Sequence, residues 1–140
     1  MSEFSDVPLR IKANLKRVRA VCMGCVIADT NHAITLFEAD RPPVHYFPPD
    51  DVELERLAAT GRQSHCPVKG DAELYTIRAG ERAADAAAWI FDHPQPAILA
   101  LRRYVAFDPA KVEVIEFAPG EAVFPLGPPS IESWDLSPRQ

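Results

Sequence analysis

Fourteen prolines are spread through the 140 residues, grouped at Pro42-Pro43, Pro48-Pro49, Pro94 and Pro96, and from Pro119 onward. Proline has no backbone N–H to donate, and its ring collides with the preceding helical turn, so no long helix crosses any of these points. The fold must therefore be assembled from short elements. Between the proline groups, apolar residues mostly alternate with polar ones, which is the period of a half-buried strand.

Arg17-Val18-Arg19-Ala20-Val21-Cys22 is the first such run, Met23-Gly24 supplies a two-residue turn, and Cys25 to Ala28 returns. After the turn group Asp29-Thr30-Asn31, the segment Ile34-Thr35-Leu36-Phe37 carries β-favouring residues, and Val44 to Phe47 is a short strand between proline pairs. Asp50 or Asp51 can cap a helical turn with Val52, Leu54, Leu57 and Ala58 on its apolar face, so a helix is expected from there to about Gly61. Glu73 to Arg78 is a strand closed by Ala79-Gly80. Arg82 to Phe91 conflicts within itself, since its alanines favour helix while Trp89-Ile90-Phe91 favours strand. Ala97 to Leu101 reads as a short helix, and Tyr104 to Phe107 with Val112 to Ile115 as a hairpin. The expected class is mainly β, with one or two short helices. Residues 1–16 read as an arm or edge segment, 17–117 as the β domain, and 118–140 as a Pro-rich tail anchored by Phe124, Ile131 and Trp134.

Charge and composition narrow the function classes. A net charge of −5 without a Lys/Arg cluster argues against nucleic acid as a partner, and Arg10 to Arg19 reads as a strand with a solvated basic face. Glu3 and Asp6 do not suit a leader peptide, and apolar runs such as Ala86 to Phe91 are too short to cross a bilayer. Three cysteines, an odd number, suit reduced thiols. A soluble, cytoplasmic protein without a membrane partner is the expectation.

The densest chemistry lies in Ser64-His65-Cys66-Pro67-Val68-Lys69-Gly70-Asp71. Pro67 holds Cys66 extended and favours a turn over Cys66 to Lys69, whose ends then lie within roughly 7 Å, while Gly70 tolerates positive φ. An ammonium beside a thiol stabilises its thiolate, so Cys66, Lys69 and His65 are candidate catalytic residues, with His65 or Tyr75 as proton donor. His65 and Cys66, adjacent in an extended segment, should face opposite ways. Cys66 also has two quieter readings, a ligand contact or a small buried apolar group. Cys22-Met23-Gly24-Cys25 has the spacing of half a zinc knuckle, with Cys66 and one of His32, His45 or His65 to complete it. No second Cys-x-x-Cys pair follows, and no metal or cofactor is expected. Tyr46, Tyr75, Trp89 and Tyr104 can wall a groove with Lys69 and Asp71 at its rim, whereas Phe47 and Phe107 suit the core.

Several of these stretches together resemble a known family, domain of unknown function 427. They are the Val18-Arg19 strand with Gly24 and Ile27-Ala28-Asp29, then Pro43-Val44-His45-Tyr46-Phe47-Pro48 followed by Asp51-Val52. They continue with His65-Cys66-Pro67-Val68-Lys69-Gly70-Asp71-Ala72, Ala87-Ala88-Trp89 and Tyr104-Val105-Ala106-Phe107. The resemblance covers roughly residues 17 to 116, and its most specific part is Cys-Pro-x-Lys-Gly with a downstream Trp and Tyr. It implies a β-tent-like fold of two antiparallel sheets leaning together, with strand over Ala83 to Phe91. The family pattern expects Gly24 but not the cysteines beside it. A nucleotidyltransferase-like label attaches to the family in places, yet this chain lacks a Gly-Ser followed by an Asp-x-Asp pair.

The expected function is binding of an unidentified small molecule at the Cys66-to-Gly70 loop. The ligand-binding candidates are Tyr46, Cys66, Lys69, Gly70, Asp71, Tyr75, Trp89 and Tyr104. One alternative is an enzyme using Cys66 as nucleophile or redox thiol with Lys69. Another is an interaction domain whose Pro-rich tail docks a partner or a second copy, giving a homodimer.

Overall fold

A computed structural model describes residues 9–39 and 41–118. Its strands, in chain order, are Leu9–Ala13 (β1), Arg17–Cys22 (β2), Cys25–Thr30 (β3), Ile34–Glu38 (β4) and Val44–Tyr46 (β5). Leu57–Cys66 (β6), Gly70–Ala79 (β7), Arg82–Phe91 (β8), Val105–Phe107 (β9) and Glu113–Phe117 (β10) follow. The mainly β expectation holds. The strands form three antiparallel sheets, in the orders β1-β4-β5, β10-β2-β3 and β6-β7-β8-β9, where two were expected. Two of the three touch edge to edge. Phe47 N–H donates to Val105 O at 2.8 Å and Val105 N–H to Phe47 O at 2.9 Å, joining the end of β5 to β9. The Pro-rich tail lies outside the described residues.

Burial explains why β8 is a strand despite its alanines. One face of the four-stranded sheet meets Val18, Ile27 and Phe47 through Ile77, Ala88 and Phe107. The other meets Leu36, Tyr46, Ile98 and Leu101 through Ala72, Phe91 and Ala106. A segment covered on both faces has its conformation set by packing and pairing, which override helix propensity. Two bulges interrupt the ladder. Ala86 sits at φ +51° opposite Thr76, whose Oγ1 accepts the Ala86 N–H at 3.3 Å. Gly61 (φ +79°) lies between Ala59 and Gln63, where β6 slips against β7. A positive φ of this kind suits glycine.

Three sequence expectations are corrected. The helix from Asp50 to Gly61 is replaced by short 3₁₀ turns at Pro49–Asp51 and Leu54–Arg56, after which β6 begins. Val52 bridges to Ala28, and Glu53 N–H donates to Ile27 O at 2.8 Å, so β3 pins the chain extended in mid-run. Asp51 accepts the Thr30 hydroxyl at 2.7 Å and makes no side-chain cap. The hairpin of residues 104–115 is also absent, because β9 pairs with β8 and β10 with β2. All three residues of β9 are buried although it is the last strand of its sheet, and the Asp108–Lys111 turn hands the chain to another sheet. Finally, Arg19 belongs to no solvated face. It is 5% exposed, with Nε 3.1 Å from Asp29 Oδ2 and its guanidinium carbon 5.3 Å from the Phe117 ring centre.

Ala97 to Leu101 falls within a 3₁₀ segment, Pro96–Leu101. Leu9–Ala13 is an edge strand. Among the described residues, no helix is long and apolar enough to cross a membrane.

Candidate functional site

Cys66 and Gly70 are the last pair of the β6–β7 hairpin, with Pro67, Val68 and Lys69 as its turn. Gly70 has φ +110°, and a Cβ there would stand 3.1 Å from His93 O and 3.4 Å from Pro94 Cα. Only glycine fits that contact without movement. Gln95 N–H donates to Lys69 O at 2.9 Å, pinning the hairpin against the 93–95 segment. In this position the Lys69 ammonium donates to Glu38 Oε1, at the end of β4, over 2.8 Å. The two side chains are only 17% and 16% exposed.

Behind the hairpin lies a cavity of about 200 Å³. Register builds its wall: Ser64 faces Ala72 across β6 and β7, while Ala72 faces Phe91 and Leu74 faces Trp89 across β7 and β8. Residues two apart on adjoining strands share a face, so these five side chains converge, and Cys66 and Lys69 complete the lining. The Trp89 indole N–H donates to Tyr46 Oη at 3.1 Å. Burial pushes the Tyr46 phenol up to about 12, with Glu38 and Cys66 adding to the rise and the Trp89 hydrogen bond opposing it.

That shift has a measurable sign. A free phenol ionises near pH 10, so between about pH 10 and 12 the folded chain keeps a proton that the unfolded chain has lost. Stability therefore falls as pH rises across that window, by about 2–3 kcal/mol from this group. Tyr46→Phe should lack this part of the alkaline loss. Urea unfolding of both chains at about pH 9 and about pH 11.5 checks it, and parallel losses would refute it.

The cavity gathers some of the anticipated residues and leaves others apart. Cys66, Lys69 and Trp89 line it, Tyr46 stands behind Trp89, and Gly70 packs against residues 93–95 outside the lining. Tyr104 packs on the Leu36–Phe91 cluster without joining the lining. Tyr75 lies on the other face of β7, against the Ile77–Phe107 cluster. His65 turns outward and its Nδ1 pairs with Asp71 Oδ1, both side chains being well exposed. Glu38 was not anticipated. Its signal was available in the period of two, since Glu38 continues the inward Ile34-x-Leu36 series and sets a carboxylate on an apolar face.

The zinc alternative loses its geometry. Cys22 and Cys25 flank the tip of the β2–β3 hairpin, with Cys22 Sγ 3.6 Å from Lys111 O and its thiol pushed up chiefly by burial. Cys66 lines the cavity, His65 pairs outward, and His45 bonds Thr35. Among the described residues, no three of His, Cys, Asp and Glu converge to hold a metal.

Fold and site together define a small antiparallel β domain with an aromatic-walled cavity behind a proline hairpin. The chain belongs to the family described as Domain of unknown function (DUF427), whose model matches residues 10–117. No curated protein matches it.

Proposed function

We propose that the domain binds a small, largely apolar ring compound in the cavity behind the Cys66–Gly70 hairpin. The observation that carries this reading is Lys69, held by Glu38, at the wall of a hollow lined mainly by apolar and aromatic side chains. An ion pair withdrawn from water contributes little net stability, so its position beside open space is better explained by a ligand. A few placed polar groups in apolar walls are the usual form of a small-molecule site. A hollow of about 200 Å³ has room for one substituted ring, since an apolar cavity of about 150 Å³ accepts benzene. The reading places the protein in a reducing, cytoplasmic compartment, where Cys22, Cys25 and Cys66 stay as free thiols.

Saturation-transfer NMR against a panel of single-ring fragments tests this. Ser64 is exposed at the cavity wall, so Ser64→Phe fills the entrance without disturbing the core. Fragments that bind the wild-type chain and are lost in Ser64→Phe support the site. A panel with no such fragment overturns it.

A second reading keeps Cys66 as nucleophile or redox thiol, favoured by its presence with Lys69 in one cavity lining. It must operate without His65 and Tyr75, which lie on other faces. Iodoacetamide should then alkylate Cys66 faster than Cys25, which is also partly exposed. Equal rates end that reading.

A further inference from the structure

We propose that the opposite face of β4 carries a second binding site, for a small aromatic oxyanion: a ring bearing a carboxylate or a phosphate. Pairing sets Lys12 of β1 beside Thr35 of β4, and Thr35 beside His45 of β5. By the period of two, these side chains and Phe37 stand away from Leu36 and Glu38, which face the interior and the first cavity. Residues 14–16 and Glu116 of β10 close the far side, leaving a groove of about 480 Å³.

The floor of the groove is a fixed polar network drawn from four segments. Asn14 Nδ2 donates to Thr35 Oγ1 at 3.2 Å and to Glu116 Oε2 at 2.7 Å, while Asn14 Oδ1 accepts the Lys16 N–H at 2.9 Å. Thr35 Oγ1 lies 2.8 Å from His45 Nδ1. In the tautomer in which the Thr35 hydroxyl donates to Nδ1, the imidazole carries its proton on Nε2. Burial holds this imidazole below its ordinary pKa, outweighing Glu116, and Lys16 adds to the effect, so the neutral form prevails at pH 7. Nε2 is 3.9 Å from Glu116 Oε2, beyond hydrogen-bond reach. In that tautomer a donor at the floor of the groove has no direct acceptor among the described residues.

Charge selects the ligand. Glu116 has Lys16 Nζ at 3.8 Å, whereas Lys12 has no carboxylate partner among the described residues. The Arg10 guanidinium carbon, 5.2 Å from the Phe37 ring centre, adds a third cation to this face of a chain whose net charge is −5. An oxyanion accepting from His45 Nε2–H and the Lys12 ammonium gains charge-assisted bonds. Phe37 and Pro43 form the apolar wall beside those donors, where a ring lies.

The test is a titration of the ¹⁵N-labelled full chain with benzoate and, separately, with phenyl phosphate. Saturable shifts of the Lys12, Thr35 and His45 signals are expected with at least one of them, and the better binder identifies the oxyanion. Lys12→Glu should raise its Kd tenfold or more. If that variant folds poorly, Lys12→Gln should raise it about threefold, the effect of one exposed charge. Ser64→Phe, which blocks the first cavity, should leave the Kd unchanged, so the two sites stand or fall separately. The proposal is overturned if neither anion gives a saturable shift, or if the lysine variants leave Kd unaltered. It is equally overturned if benzyl alcohol binds as tightly as the anions, or inorganic phosphate as tightly as phenyl phosphate.

Discussion

Lys69→Met is expected to lower the stability of the domain by about 2–4 kcal/mol, just below the usual range for breaking a fully buried pair. The methionine keeps most of the lysine's volume but leaves the Glu38 carboxylate, 16% exposed, without its 2.8 Å donor. Almost all of the loss is the cost of an uncompensated charge held away from water. Glu38→Leu combined with Lys69→Met removes both charges, and the double variant should regain most of what the single variant loses. Urea unfolding of the wild type, the two single variants and the double variant measures the coupling directly. A single-variant loss within experimental scatter, or simple additivity in the double variant, would show that the pair is effectively solvated. The same double variant should lose ring fragments that depend on the polar end of the first cavity.

Phe47→Ala carries the larger penalty, about 3–5 kcal/mol, as expected for a fully buried aromatic side chain reduced to a methyl group. Phe47 is 0% exposed and meets Phe107 edge to face, with ring centres 5.3 Å apart and planes at 72°. Its backbone also makes both hydrogen bonds of the β5–β9 bridge. Truncation therefore opens a cavity at the place where two sheets are stitched together. Phe47→Leu should lose distinctly less. Besides a lower denaturation midpoint, hydrogen exchange at the Val105 amide should quicken in Phe47→Ala more than at the Ile77 amide, which lies inside the four-stranded ladder. Uniform quickening would mean that the bridge is only a neighbour of the lost volume and not its main casualty.

Much of this architecture is legible in the residues themselves. Alternation over Arg17 to Cys22 and the positive-φ turn at Met23-Gly24 give β2 and β3 directly. The Cys66-to-Gly70 turn announces itself through Pro67 and Gly70, and Trp89 through its polar ring atom. What escapes is whatever depends on partners distant in the chain. The apolar spacing of Val52, Leu54 and Leu57 suits a helix until β3 supplies the hydrogen bonds that hold residues 52 and 53 extended. The β9–β10 segment looks like a hairpin because nothing local says that β9 will be enclosed on both faces. Glu38, 31 residues from Lys69, and the network of Asn14, Thr35, His45 and Glu116 are assembled only by strand pairing. No local motif encodes them.

The slip at Gly61 has a consequence beyond local geometry. β6 is the outer rung of its sheet and most of its length faces water, which makes it the natural place for a stray chain to attach. With two extra residues on its side between Ala59 and Gln63, its free amides and carbonyls do not run as an unbroken template. The irregularity acts as a guard against fibril growth, keeping an otherwise sticky margin from recruiting its own kind.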